Sequence, residues 1–346
     1  MDSIYADYTR PITDGPYLIF QEDSLLVLEI ESDSLKVIIQ DLQEVEKIFI
    51  NSIGHSVNVR QIFSPSSQFE YQNVAKYLVV SDIHGQFGLF RDLLLQNGII
   101  DDELNWNWGT GHLVIAGDVF DRGEEVTESI WLIYSLSQQA EFAGGKVHFL
   151  MGNHELMIIE NDLRYVNGKY YRTAGKLDMK IEDLYAENTM LGRWLRSRPV
   201  LVQINSNLIV HAGISPNLAA AYSDPDSINI EIRQILSGQI ANDEQFRLLT
   251  GSLGPFWYRG YFTSSSKYDK ITAEQYSNIL SRYNVDKIIV GHTSLEEIYY
   301  SYNKQLLAVD ASMKLGEHGK GLLFNNGTYI SVDAFGNSTE IEELDF

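Results

Sequence analysis

The feature that most constrains this chain is a repeated joint. Five short apolar runs each break at once into a turn carrying Asp, Asn or His. Residues 77–80 run into Ser81-Asp82-Ile83-His84-Gly85, and residues 113–116 into Gly117-Asp118-Val119-Phe120-Asp121-Arg122-Gly123. Residues 147–151 deliver Gly152-Asn153-His154-Glu155, residues 208–210 deliver His211-Ala212-Gly213, and residues 287–290 deliver Gly291-His292-Thr293. Short apolar runs closed by such turns have the length of buried strands. Between the first three lie helical patterns over Phe87–Gln96 and Val126–Phe142. The resulting β-α-β-α-β order predicts an α/β layer structure. In such sheets ligands sit just beyond the carboxyl ends of the strands, so five separate segments should converge on one rim.

The flanking regions read differently. Residues 16–20, 25–30, 35–39 and 47–50 are short β-like runs separated by turns such as Asp14-Gly15 and Asp33-Ser34. They predict a small β-rich N-terminal segment, residues 1–75, with no catalytic cluster and lying apart from the rim. The catalytic domain is expected over 76–346. Residues 217–284 look mostly helical, interrupted at 251–260. Strands return over 306–309, 321–324 and 329–332, with Asn325-Asn326-Gly327 as a hairpin signal. Lys169-Tyr170-Tyr171 is expected to pack on the surface or to line the rim of a cleft.

Composition excludes several functions. With 26 Lys and Arg against 47 Asp and Glu, the net charge of −21 repels nucleic-acid backbones and anionic membranes. No apolar run approaches the ~20 residues needed to span a bilayer. The chain has no cysteine, so thiolate metal sites, disulfides and a Cys nucleophile are ruled out. Residues 1–10 lack a secretion signal, leaving a cytoplasmic protein or one exported with its signal already removed.

Taken singly, the turn motifs have plain structural readings. Asp-x-His is common, Gly-Asn-His-Glu can be a helix start capped by Asn153, and His211 or His292 could be a satisfied core histidine. Jointly they are not a packing pattern, because Asp, His, Asp, Asn, His and His close independent strands. Carboxylate, imidazole and amide donors without sulfur suit Mn, Fe or Zn. A carboxylate can bridge two cations, and two ions about 3.5–4 Å apart can clamp a phosphoryl group and acidify bound water. Asp118, central in the order and set in a Gly-Asp turn, is the expected bridge.

These motifs resemble those of the metallophosphoesterase superfamily, in its phosphoprotein phosphatase branch. Met151 to Met157, Gly192-Arg-Trp-Leu-Arg-Ser197 and Gly254-Pro-Phe-Trp-Tyr-Arg259-Gly-Tyr-Phe262 are most similar to the Shewanella-like phosphatases, which include a cold-active protein tyrosine phosphatase. The resemblance spans residues 14–330. It implies a four-layer α/β fold of two packed mixed sheets flanked by helices. It implies that Asp82, His84 and Asp118 hold one metal ion, and that Asp118, Asn153, His211 and His292 hold a second. By the same resemblance His154 is the general acid, oriented by Asp121, while Arg122 and Arg259 grip the phosphate. A surface ion pair is the plainer role for Arg122. The implied reaction is hydrolysis of phosphoprotein and aryl phosphate esters by a metal-bridging hydroxide, with phosphotyrosine and phosphoserine or phosphothreonine both open.

The chain departs from the family at Ser81 and Ala212, where Gly is usual. It also carries Ser294 where many superfamily members have a second His. All these residues are small, and Ser294 fits the phosphoprotein branch. Two rival functions are a dinucleoside polyphosphate or small phosphomonoester hydrolase, and a scaffold that has lost catalysis. The second is disfavoured because every expected ligand, His154 and both arginines are present. His55, His112, His148 and His318 are expected to be structural or exposed.

Overall fold

The computed structural model describes residues 10–60, 68–239 and 242–346. Among these residues the strands form two large mixed sheets. One runs Ser338–Thr339, Thr328–Asp333, Lys320–Asn325, Lys76–Val80, His112–Ile115, Lys146–Phe149 in spatial order. The other runs Glu342–Glu343, Tyr299–Ser301, Leu306–Ala308, Lys287–Val290, Asn207–Val210, Leu201–Ile204, Glu70–Tyr71. Lys76–Val80, His112–Ile115 and Lys146–Phe149 are parallel neighbours, as are Asn207–Val210, Lys287–Val290 and Leu306–Ala308.

The period-2 pleat sends alternate side chains to opposite faces, and this makes the fold four-layered. Tyr77, Val79, Val114, Ile209, Ile289 and Leu307 share one buried cluster between the sheets. Leu78, Val80, Leu113 and Ile115 point the other way, toward Phe90, Leu94, Ile130 and Ile133 of the helices Phe87–Gln96 and Val126–Phe142. Leu208, Val210, Ile288 and Val290 face Ile228, Ile232, Ile279 and Leu280 of Pro225–Leu236 and Ala273–Tyr283. Both faces of the central strands are therefore apolar, as their unbroken runs of hydrophobic residues require. No helix among the described residues is long and apolar enough to cross a membrane.

The N-terminal segment is β-rich, as expected: an antiparallel sheet of Asp14–Phe20, Ser24–Glu31 and Ser34–Asp41, then the hairpin of Lys47–Ile50 with His55–Asn58. Its apolar side chains join the same buried cluster as Trp131 and Tyr134. Trp131 Nε1 donates to the Pro16 carbonyl at 3.1 Å, and Tyr134 Oη to the Asn58 carbonyl at 2.9 Å. Asp14 reaches furthest, its buried carboxylate 3.3 Å from Lys169 Nζ and 2.8 Å from Thr173 Oγ1. The segment thus braces the outer helical layer, and none of the five donor-bearing turns belongs to it.

Candidate metal centre

Every donor predicted from the sequence lies beyond a strand end, and the chain bends sharply to bring it there. Asp82, His84, Asp118, Asp121, Arg122 and His292 all have φ between 48° and 69°, the left-handed region that side chains disfavour. Such backbone is kept only where surrounding bonds over-determine it. Asp82 N donates to Gly117 O at 3.1 Å and His84 N to Asp118 O at 3.0 Å, so the first two turns hold each other. Two glycines are required by contact. A Cβ on Gly152 would lie 2.3 Å from Asp118 Oδ1, and one on Gly291 would lie 1.9 Å from Ser81 Oγ.

Two groups of buried donors result, one of His84, Asp118 and His154, the other of Asp118, His211 and His292. Asp118 is common to both. Asp82 adjoins the first, with Oδ1 3.9 Å from His84 Nε2, and Asn153 adjoins the second, with Oδ1 3.0 Å from His211 Nε2. His211 Nε2 also lies 3.3 Å from Asp118 Oδ2 and 3.2 Å from His292 Nδ1. The Nδ1 atoms of His84 and His211 donate to the carbonyls of Phe120 and Ala116, each at 2.7 Å. That fixes the tautomer and turns each Nε2 lone pair inward. Carboxylate, amide and imidazole lone pairs thus crowd one small volume, an arrangement that fits cations.

The electrostatics of the protein alone agree with this fit. Burial, followed by the Asp310 and Asp118 carboxylates, raises Asp82 well above its ordinary range. Burial would raise Asp118 too, but His211, His154 and His84 bring it well below. Burial lowers His84 to about 3 and His292 well below its ordinary value. For His211 burial acts downward, yet Asp118 and Asp82 raise it to about 9.

His154, a member of the first donor group, is also paired with Asp121. His154 Nδ1 is 2.5 Å from Asp121 Oδ2, and Nε2 is 3.9 Å from Asp118 Oδ2. The His154 amide donates to Asp118 Oδ1 at 3.0 Å, tying it to the shared carboxylate. Arg122 is exposed, with its guanidinium 5.0 Å from the centre of the Tyr165 ring, and among the described residues the surface ion pair considered for it does not form. Arg259 Nη2 lies 3.5 Å from both His292 Nδ1 and the His292 carbonyl. The aromatic loop explains that placement: Tyr268 Oη accepts from Arg259 N at 3.2 Å, and Tyr261 Oη pins Ile214 at both its amide and its carbonyl.

Sequence reasoning missed several contributors. Glu155 is fully buried, and its carboxylate accepts from the amides of Gly152 at 2.6 Å, Asp118 at 2.9 Å, Val119 at 2.7 Å and Phe120 at 3.3 Å. Its place three residues after Gly152, where a helix-start acid reaches back, was the available signal. Gly152, not Asn153, caps this helix. Tyr165 is exposed with its ring tilted 5.2 Å from that of His154, whereas Tyr170 is core, its Oη accepting from Val126 N at 2.8 Å. Ser81 donates to Asp82 Oδ2 at 2.5 Å, and Ser294 to the buried Asp310 at 2.5 Å. His112 and His148 pair with each other at 2.9 Å, away from the centre.

Comparison with known proteins accords with this geometry. A family model described as calcineurin-like phosphoesterase matches residues 75–295. The crystal structure of a cold-active protein-tyrosine phosphatase of a psychrophile Shewanella sp. superposes with a TM-score of 0.87 at 33% identity, covering 95% of this chain and 99% of that one. Shewanella-like protein phosphatase 1 of Plasmodium berghei is 25% identical over 262 residues, 71% of this chain and 70% of the relative. A symmetrical bis(5'-nucleosyl)-tetraphosphatase of Buchnera aphidicola is 29% identical over 162 residues, 44% of this chain and 50% of that protein.

Proposed function

Since the chain belongs to the calcineurin-like phosphoesterase family, we propose that it is a metal-dependent phosphoprotein phosphatase, hydrolysing phosphomonoesters of protein side chains and aryl phosphates. The observation that carries the reading is the Asp118 carboxylate, common to two converging donor groups with the His154–Asp121 pair beside it. Asp82, His84 and Asp118 would hold one ion, and Asp118, Asn153, His211 and His292 the other. Mn, Fe and Zn all suit these donors. When bound, two such ions supply Lewis acidity toward the phosphoryl oxygens and a water ionised near neutral pH.

The remaining work falls to side chains. Asp121 accepts from His154 Nδ1, which leaves Nε2 to carry the proton given to the departing oxygen. Arg259, on the His292 side, and Arg122, on the His154 side, can meet phosphate oxygens through paired N–H groups. The described N-terminal residues 10–60 serve as a brace, leaving the chemistry to residues 76–346.

A protein substrate is supported by the two phosphatase relatives, whose likeness extends over most of this chain. The tetraphosphatase likeness covers less than half of it and favours dinucleotides only as a competing substrate. The test is kcat/KM of the Mn²⁺-loaded protein on phosphotyrosyl and phosphoseryl peptides beside a dinucleoside tetraphosphate. Peptides should be preferred; preference for the dinucleotide, or full activity after exhaustive chelation, overturns the reading.

A further inference from the structure

A cavity of about 900 Å³ opens between the N-terminal sheet and the helices Met190–Arg196 and Pro225–Leu236, sharing no lining residue with the metal centre. Four arginines line it, Arg60, Arg193, Arg196 and Arg233. In a chain of net charge −21, such a cluster would ordinarily be neutralised by carboxylates. Yet among the described residues the arginine ion pairs are Arg91–Asp92, Arg164–Asp162 and Arg172–Asp33, and none involves these four.

Their hydrogen bonds go to neutral backbone carbonyls. Arg193 Nε donates to Glu187 O at 2.8 Å, Arg196 Nη1 to Tyr185 O at 2.7 Å and Gly192 O at 3.0 Å, and Arg60 Nε to Val45 O at 2.7 Å. The Arg233 guanidinium has no hydrogen-bond or ion-pair partner among the described residues. Carbonyl bonds fix a guanidinium's direction without cancelling its charge, and they leave other N–H groups free. Glu187 borders the cavity, but burial lowers Arg196 despite it, and burial lowers Arg233 against the pull of Asp226. Arg193 Cζ also lies 4.3 Å from the centre of the Phe20 ring, a cation–π contact that leaves its Nη groups without a hydrogen bond among the described residues.

We propose that this cavity is a second anion site that takes an organic phosphate. Arg193, Arg196 and Arg233 hold the phosphoryl oxygens, and the apolar body rests on Phe20 and Leu236. Clustered, pre-oriented guanidiniums are what bidentate phosphate recognition needs. An apolar wall beside them selects a phosphate with a carbon skeleton over the inorganic ion. The phosphoryl group belongs to a free phosphomonoester or to a second phosphorylated residue of a protein, and both offer the same chemistry. Nothing in the proposal requires that the metal centre be catalytic.

The test is calorimetric titration of the metal-loaded protein with phenylphosphonate, which cannot be hydrolysed at its P–C bond. With the metal centre saturated by orthovanadate, one further equivalent should bind, more weakly as ionic strength rises. Arg193→Gln with Arg233→Gln should weaken that equivalent by at least about tenfold and leave nitrophenyl phosphate turnover unchanged. Arg233→Lys, which keeps the charge, should lose less. Tighter competition by a phosphotyrosyl peptide than by phenyl phosphate would assign the ligand to proteins, and the reverse order to a free ester. The absence of a vanadate-resistant equivalent in the wild type, or equal binding by the folded double variant, overturns the proposal.

Discussion

Replacing Glu155 by Gln tests whether one buried carboxylate holds the whole donor array. Both oxygens accept from two amides each: Oε2 from Gly152 and Asp118, Oε1 from Val119 and Phe120. An amide keeps one acceptor oxygen and places an NH₂ against the other two donors. Leaving a buried donor unsatisfied costs ~1–3 kcal/mol, so two such donors cost about 2–6 kcal/mol. That is a large part of the ~5–15 kcal/mol that holds a typical domain. Burial, then the Asp118 charge, pushes the Glu155 carboxyl upward, while the amides of Asp118 and Gly152 hold it down. Four amide donors on its two oxygens favour the ionised form. Urea unfolding of the metal-free protein should show a markedly lower midpoint for Glu155→Gln. The metal-loaded protein should lose bound ions, because the turn that presents Asp118 relaxes. If the variant matched the wild type in both measurements, the carboxyl would be protonated in the native protein, and the bracing argument would be refuted.

Three further outcomes are expected. Asp118→Asn should abolish turnover and deplete both ions, as read by elemental analysis; loss of one ion alone would count against a shared ligand. His154→Asn should slow phosphoserine hydrolysis by ~10²–10⁴-fold and nitrophenyl phosphate much less, with Asp121→Asn weaker in the same direction; equal losses on both substrates would remove the general-acid role. Burial, with Lys146, lowers His112 to about 4, and burial lowers His148 well below its ordinary value. The unfolded chain therefore takes up protons below ~6.5 that the folded chain refuses, and stability should fall as pH drops from there toward 4. His112→Asn should flatten that decline in urea midpoints between pH 7 and 4.5, and an unchanged slope would contradict the assignment.

Local pattern carried the middle of the chain. The segments expected at Phe87–Gln96, Val126–Phe142, Lys47–Ile50 and Lys287–Val290 have those bounds in the structure. Long amphipathic helices and unbroken apolar strands identify themselves through spacing alone. The six candidate donors stood out for a related reason, since each closes such a strand with a residue a packed core would not keep unpaired.

The segments that went unread lack a local signature. Gly168–Lys176 is polar along most of its length and is held by distant partners, Lys169 by Asp14 and Tyr170 by the Val126 and Thr127 amides. Leu201–Ile204 is short and follows Pro199, and it becomes a strand through pairing with Asn207–Val210 and Glu70–Tyr71.

By itself, then, the sequence determined the α/β order, the donor chemistry and the turns that carry it, because strand period, turn residues and donor type are written within a few neighbouring positions. Tertiary structure decided which donors share an atom's reach, that Glu155 rather than Asn153 organises the helix start, that Tyr165 rather than Tyr170 lies beside His154, and that four arginines from three separate stretches line one cavity. These outcomes depend on contacts between residues tens to hundreds of positions apart. Such contacts are fixed only when the two sheets pack and the outer helices close over them.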